Sequence, residues 1–166
     1  FGSSSHLMFD FNSPLSCPRE SSSLSSNAMF ISPKLAAVVC LGTTLGFFMT
    51  TPVIIALRAA SHICFALLGA VLIRKIPEII EKPLPSTVFN GGLAFVHALA
   101  EVAVVSPFFL AGSIFKPEQL ADGYVMSVLV LVGVGTFLHS LIDYTVSIML
   151  WKPVRAALPS LAELRE

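Results

Sequence analysis

Three apolar stretches of this chain each carry an ionisable pair four residues apart: Arg58 with His62, His97 with Glu101, and His139 with Asp143. That spacing puts both members of a pair on one face of a helix. A guanidinium can hold a carboxylate through two parallel hydrogen bonds, so Arg58 is a candidate anion anchor with His62 one turn away. The alternative for Arg58 is a side chain that snorkels to the headgroups. His97 with Glu101, and His139 with Asp143, are equally readable as interhelical hydrogen-bonding pairs, since a carboxylate and an imidazole sharing a proton reduce the burial cost. Taken together, two imidazoles and two carboxylates form a donor set for zinc or a similar divalent ion.

The stretches that position these groups are long enough to cross a bilayer. Residues 89–110, FNGGLAFVHALAEVAVVSPFFL, contain no Lys, Arg or Asp, yet hold His97 and Glu101 near their centre. An ionisable pair at such depth is costly unless it faces a protein interior, a cavity or a ligand. Further spans are expected at 28–50, 53–73 and 124–151. The first is interrupted by Ser32-Pro33-Lys34, which implies a short helical end at 28–31, a turn, and a helix opening on Pro33. Thr50-Thr51-Pro52, Arg74-Lys75 with Pro77, and Gly112 supply the stops.

Composition agrees. Of the 166 residues 55% are apolar and 12% charged, and mean hydropathy is +0.84. The charged share is about half that of a soluble domain. The fold class is therefore an all-α integral membrane bundle in one domain, with about four full spans. Continuous apolar runs disfavour a barrel. Zero net charge gives no bulk field for nucleic acid. Cys17, Cys40 and Cys64 have no zinc-ligand spacing and imply no disulfide framework.

Residues 1–27 are set apart as a Ser-rich segment, disordered or artefactual, without the basic start and apolar core of a secretory signal. The bundle is expected over 28–155 and a polar cytoplasmic tail over 156–166. Four alternating spans place Lys34, Arg74, Lys75, Lys82, Lys152 and Arg155 on one side, against Lys116 on the other. That asymmetry puts the first side, and the C-terminus, in the cytoplasm. Tyr124 and Trp151 fit interfacial anchors at the two ends of the last span. Small residues at Gly42/Gly46, Ala56/Ala60 and Ala66/Ala70 suit close helix packing, and Ser61, Ser106 and Ser140 suit hydrogen bonds between helices.

Counting about 1.5 Å per residue sets Arg58 roughly 8 Å, His62 roughly 14 Å and Glu101 roughly 16 Å from the outer surface, with His97 and His139 deeper. The ionisable groups are thus expected as a staircase, not one ring. Glycines 42 and 46 lie inside an apolar span with no Lys-Ser/Thr following, so no nucleotide loop is present. Any ATP must be bound by another subunit.

The stretches AMFISPKLAAVVCLGTTLGFFMTTP, LRAASHICFALLGA, FVHALAEVAVVSPFF and GTFLHSLIDYTVSIMLWKP together resemble the substrate-binding S components of energy-coupling factor (ECF) vitamin transporters, the niacin type most of all. The likeness spans roughly residues 28–155. It implies a six-helix bundle that captures a vitamin from outside, is not itself an enzyme, and works with a transmembrane coupling protein and two cytoplasmic ATPase subunits in a bacterial plasma membrane. In that family a first helix and most of a second precede the stretch matching 28–34. Here that region is the Ser-rich segment, and the family's Ala-xxx-Ala coupling motif is not located. Nicotinate is a small aromatic carboxylate, so the expected ligand contacts are Arg58 and His62, with Phe47 and Phe48 packing the ring. His97 and Glu101 would form a polar hub beneath, with Glu101 within reach of the ring nitrogen. The competing reading is a metal-dependent intramembrane hydrolase built on His97, Glu101, His139 and Asp143. Its pattern resembles the CAAX-type proteases but lacks their Glu-Glu-xxx-Arg motif.

Overall fold

The structure is a computed structural model, and it describes residues 19–112 and 117–157. Lys116, Cys17 and the tail beyond residue 157 lie outside the described residues, as do the side chains of residues 19–23, 118 and 119. All described regular elements are helical: α1 (Arg19–Ile31), α2 (Pro33–Thr50), α3 (Val53–Lys75), a single tight turn at Pro77–Ile80, α4 (Pro83–Leu110), the short α5 (Pro117–Ala121) and α6 (Val125–Ala157). Four of them, α2, α3, α4 and α6, are long and apolar enough to cross a membrane. The protein is an all-α membrane bundle.

Local chemistry accounts for most boundaries. The Ser32 hydroxyl accepts the Leu35 N–H at 3.1 Å and Pro33 opens α2, so chain reversal between α1 and α2 takes one residue. Thr51 closes the same helix by bonding its N–H and its hydroxyl to the Phe47 carbonyl. Pro83 opens α4 six residues before the expected start at Phe89. Gly112 and Gly123 flank the next connection with φ of +63° and +78°, conformations that side-chain-bearing residues disfavour.

Two features depart from the sequence reading. The helix α1 begins at Arg19, well inside the Ser-rich stretch set apart as 1–27, and Ser25 and Ser26 are buried in it. Serine is a mediocre helix former in isolation, but it is small enough for close helix contact, and packing overrides propensity. Cys40 of α2 donates to Ser25 Oγ at 3.3 Å. In α6, Val125–Val134 is wound as a π-helix, with the Gly135 N–H reaching the Val130 carbonyl, before α-geometry resumes at Gly135–Ala157. The helix then continues past Trp151 and through Pro153 to Ala157.

The central element is α3, 61% buried over its apolar window against 11% for α2. Ala56, Ala59, Ala66, Gly69 and Ala70 let neighbours approach it. A Cβ added at Gly69 would collide with Met29 Sδ and lie 2.8 Å from Leu93 Cδ2, so α1, α3 and α4 meet there. Gly42 and Gly46, by contrast, are exposed on α2 and touch nothing.

The core is layered along the helix axes. One apolar layer joins Ile54, Ile55, Val105, Phe109, Val128 and Val132 near the end bearing Thr51. A larger one joins Met29, Phe30, Phe65, Ile73, Phe89, Leu93, Tyr144 and Trp151 toward the end bearing Lys75. Trp151 belongs to this core: it is 5% exposed and stacks on Phe30 with ring centroids 6.1 Å apart. It is not the interfacial anchor expected of it, because α1 supplies an aromatic partner inside the bundle. The cations Lys34, Arg74, Lys75, Lys82, Lys152 and Arg155 all sit at the Lys75 end, where Arg155 reaches Glu81 at 3.6 Å.

Candidate functional site

Between the two apolar layers lies a polar one. On α3 it falls at Arg58, Ser61 and His62, on α4 at His97 and Glu101, and on α6 at Thr136 and Ser140. Each set repeats every three or four residues, so each helix turns the same face inward across all three layers. Arg58, His62, His97 and Glu101 are at most 1% exposed.

The acceptor at the centre is Glu101. Its Oε2 takes the Arg58 Nε–H in a buried ion pair. Its Oε1 faces His62 Nε2 at 3.5 Å, His97 Nε2 at 3.7 Å and the Ser61 hydroxyl at 3.4 Å. The Ser61 hydroxyl also donates to the Arg58 carbonyl at 2.6 Å. The other ring nitrogen of His97 is hydrogen-bonded to Ser140 Oγ of α6. The imidazoles meet edge to face, centroids 4.7 Å apart, and Phe65 packs on His97 at 4.3 Å. Helices α3 and α4 are thereby joined through one carboxylate, and α6 joins them through the Ser140–His97 bond.

The expected staircase is therefore a single cluster. Backbone depth placed Arg58 a turn above Glu101, but its long side chain spans that turn along an antiparallel neighbour. Burial to 1% exposure rules out snorkelling in this arrangement. His139 and Asp143 do not join: their Nε2 and Oδ2 are 2.9 Å apart on α6, both partly exposed. The four-residue set expected for a hydrolase is thus split between two places. Phe47 packs against the apolar layer at the Thr51 end, whereas Phe48 is 64% exposed and turned away from the bundle. Adjacent residues on a helix point about 100° apart, so only one of them can face inward.

Among the described residues, the donor atoms close enough to share an ion are those of His62, His97 and Glu101, all within 4.8 Å of one another. Two imidazoles and a carboxylate are a familiar set for a divalent metal. The Arg58 guanidinium on the same carboxylate opposes that use. A divalent ion beside the neutral Arg58–Glu101 pair would leave uncompensated positive charge in an apolar interior.

Sequence reasoning undervalued Ser61 and Ser140 as members of the site. Both lie on the inward faces that carry the charged residues, and that shared face was the available signal. Ser106, the third serine expected to bridge helices, bonds Tyr124 Oη at 2.8 Å. On the Lys75 side of His97, Ser140 also lines a cavity with Ser26, Asn90, Tyr144 and Phe65. The cavity has room for about one water and none for an aromatic ring.

Over 133 residues the chain is 35% identical to the niacin transporter NiaX of Lactococcus lactis subsp. cremoris (strain MG1363). The matched region holds 80% of this chain. The chain is a relative of that niacin transporter. The niacin-type resemblance read from the sequence holds. The match spans 58% of the transporter's own length. No family model and no solved structure matches the chain.

Proposed function

We propose that the chain is the substrate-capture component of an ECF-type uptake system, taking niacin as nicotinate from the outer face of a bacterial plasma membrane. The observation that carries this reading is the likeness to a niacin transporter joined to a buried arginine at the centre of the bundle. A guanidinium in an apolar interior is the group best suited to select a small carboxylate, because the pairing is planar and undiluted by water.

In this reading Arg58 anchors the carboxylate, and His62 and His97 flank the ring. Phe47 belongs to the layer above them. The ligand enters at the Thr51 end, which the charge asymmetry makes the outer one, and the C-terminus is cytoplasmic. Arg58 is covered on that side by Ile54, Ile55, Val105 and Phe109, so the described arrangement is a closed one. Admission requires that layer to part, a gating motion of the kind loops and helix ends provide. A transmembrane coupling protein and two cytoplasmic ATPases supply the energy, and the chain is not an enzyme.

Isothermal titration of the purified protein with nicotinate tests the proposal. Binding by the unaltered chain that is lost in Arg58→Ala supports it. Equal binding by Arg58→Ala moves the anchor elsewhere, and stoichiometric zinc lost in His62→Ala and His97→Ala would replace it with a metal site.

A further inference from the structure

In the closed structure the anchor is already occupied by a carboxylate of the protein's own. The Arg58 Nε–H is bonded to Glu101 Oε2, and both groups are buried in a layer bounded by apolar side chains on either side. A substrate carboxylate cannot simply add to this pair. Two anions on one guanidinium would leave net negative charge in a low-dielectric interior, which is strongly unfavourable.

Resting on the niacin reading, we infer that Glu101 is an internal stand-in for the substrate: nicotinate displaces it from Arg58, and it moves onto His62 and His97 together with one proton taken from solution.

The geometry provides the second resting place. Its other oxygen, Oε1, already faces His62 Nε2 at 3.5 Å, His97 Nε2 at 3.7 Å and the Ser61 hydroxyl at 3.4 Å. A small side-chain rotation shortens these contacts as the Arg58 contact lengthens. The charges then balance. Before binding, Arg58 and Glu101 cancel. Afterwards Arg58 cancels the substrate, and the arriving proton cancels Glu101, carried by the coupled Glu101–His62–His97 group. Ser140 holds the far nitrogen of His97 and so keeps that ring in place for the exchange.

Among the described residues, the groups that face Glu101 are few. Helix α3 presents Arg58 and His62, and α4 presents His97. Helix α6 contributes Ser140 through His97, with the His139–Asp143 pair, 2.9 Å apart, farther round the helix. Among the described residues of α2, Cys40 is occupied with Ser25 and Lys34 is exposed at the Lys75 end. Among the described residues, Glu101 and its two imidazoles lie nearest the charge that the substrate brings, with His139 next beyond His97.

Titration calorimetry of nicotinate in buffers of differing ionisation enthalpy counts the protons. The unaltered protein should take up about one proton per nicotinate near pH 7.5, and its affinity should weaken about tenfold per pH unit once the exchange must draw on scarce protons. Glu101→Gln should bind nicotinate with proton uptake near zero and little dependence on pH. Uptake of no proton by the unaltered protein overturns the exchange whether or not the variant folds. Equal uptake by Glu101→Gln overturns it too, because the proton then resides elsewhere. Failure of the unaltered protein to bind nicotinate at all overturns the niacin reading with it.

Discussion

Arg58 and Glu101 stabilise the bundle only as a pair. Either one alone is an uncompensated charge in an apolar interior, so Arg58→Ala or Glu101→Ala should each cost about 3–5 kcal/mol. The double variant Arg58→Met/Glu101→Met should cost much less than the sum, since well-packed apolar residues often replace a buried ion pair without loss. Thermal unfolding in detergent reads this directly, and additive losses would show that the pair is not coupled. Arg58→Lys should recover stability better than binding. It keeps the charge but not the planar fork, so nicotinate titration should show only partial affinity. Ser140→Ala leaves the buried His97 ring without its hydrogen-bond partner and should lower stability by about 1–3 kcal/mol. No change in its melting temperature would mean that the contact is dispensable.

At the level of elements, α3 carries the packing. Gly69 sits where α1 and α4 press against it, so Gly69→Val should force Met29 and Leu93 aside and cost roughly 1–3 kcal/mol. The same change at Gly42, open on α2, should be nearly silent. Comparing the two melting temperatures tests whether the close approach is real. Phe47 and Phe48 make a second matched pair. Phe48→Ala should change neither stability nor nicotinate affinity, whereas Phe47→Ala should loosen the apolar layer above the cluster. Helix periodicity alone could have separated the two phenylalanines, had the inward face of α2 been fixed first by Ala36 and Cys40. The π-wound start of α6 was not readable this way, because valines and leucines fill Val125–Val134 on every side.

For the whole molecule, the collected cations predict its direction in the membrane. In a background with the native cysteines replaced by alanine, Thr51→Cys should react with a membrane-impermeant thiol reagent on intact cells. Lys82→Cys should react only after permeabilisation. The reverse pattern would invert the orientation and with it the side from which substrate arrives. The two apolar layers around one polar layer also give the bundle a division of labour. The large layer with Trp151, Tyr144 and Phe30 is tied together by aromatic stacking. The smaller layer at the Thr51 end includes the Phe109–Tyr124 ring contact, and on the proposed entry route it is the layer that would open.

The all-helical membrane class, four of the spans and the candidate charged residues were all legible in the sequence. Hydropathy, proline stops and i, i+4 spacing are local properties, and the bilayer makes them decisive by requiring every spanning backbone to satisfy itself. The likeness to niacin-type proteins was legible as well. What the sequence could not decide is which charged groups meet. Depth along each helix separated Arg58 from Glu101, and equal spacing made His139 and Asp143 look equivalent to His97 and Glu101. Only the rotation of three helices about their axes resolves this. It turns Arg58, His62, His97 and Glu101 onto one another and leaves the α6 pair at the margin. Helix rotation is set by contacts across the whole bundle, Gly69 against Met29 and Trp151 against Phe30 among them, and no single span contains that information.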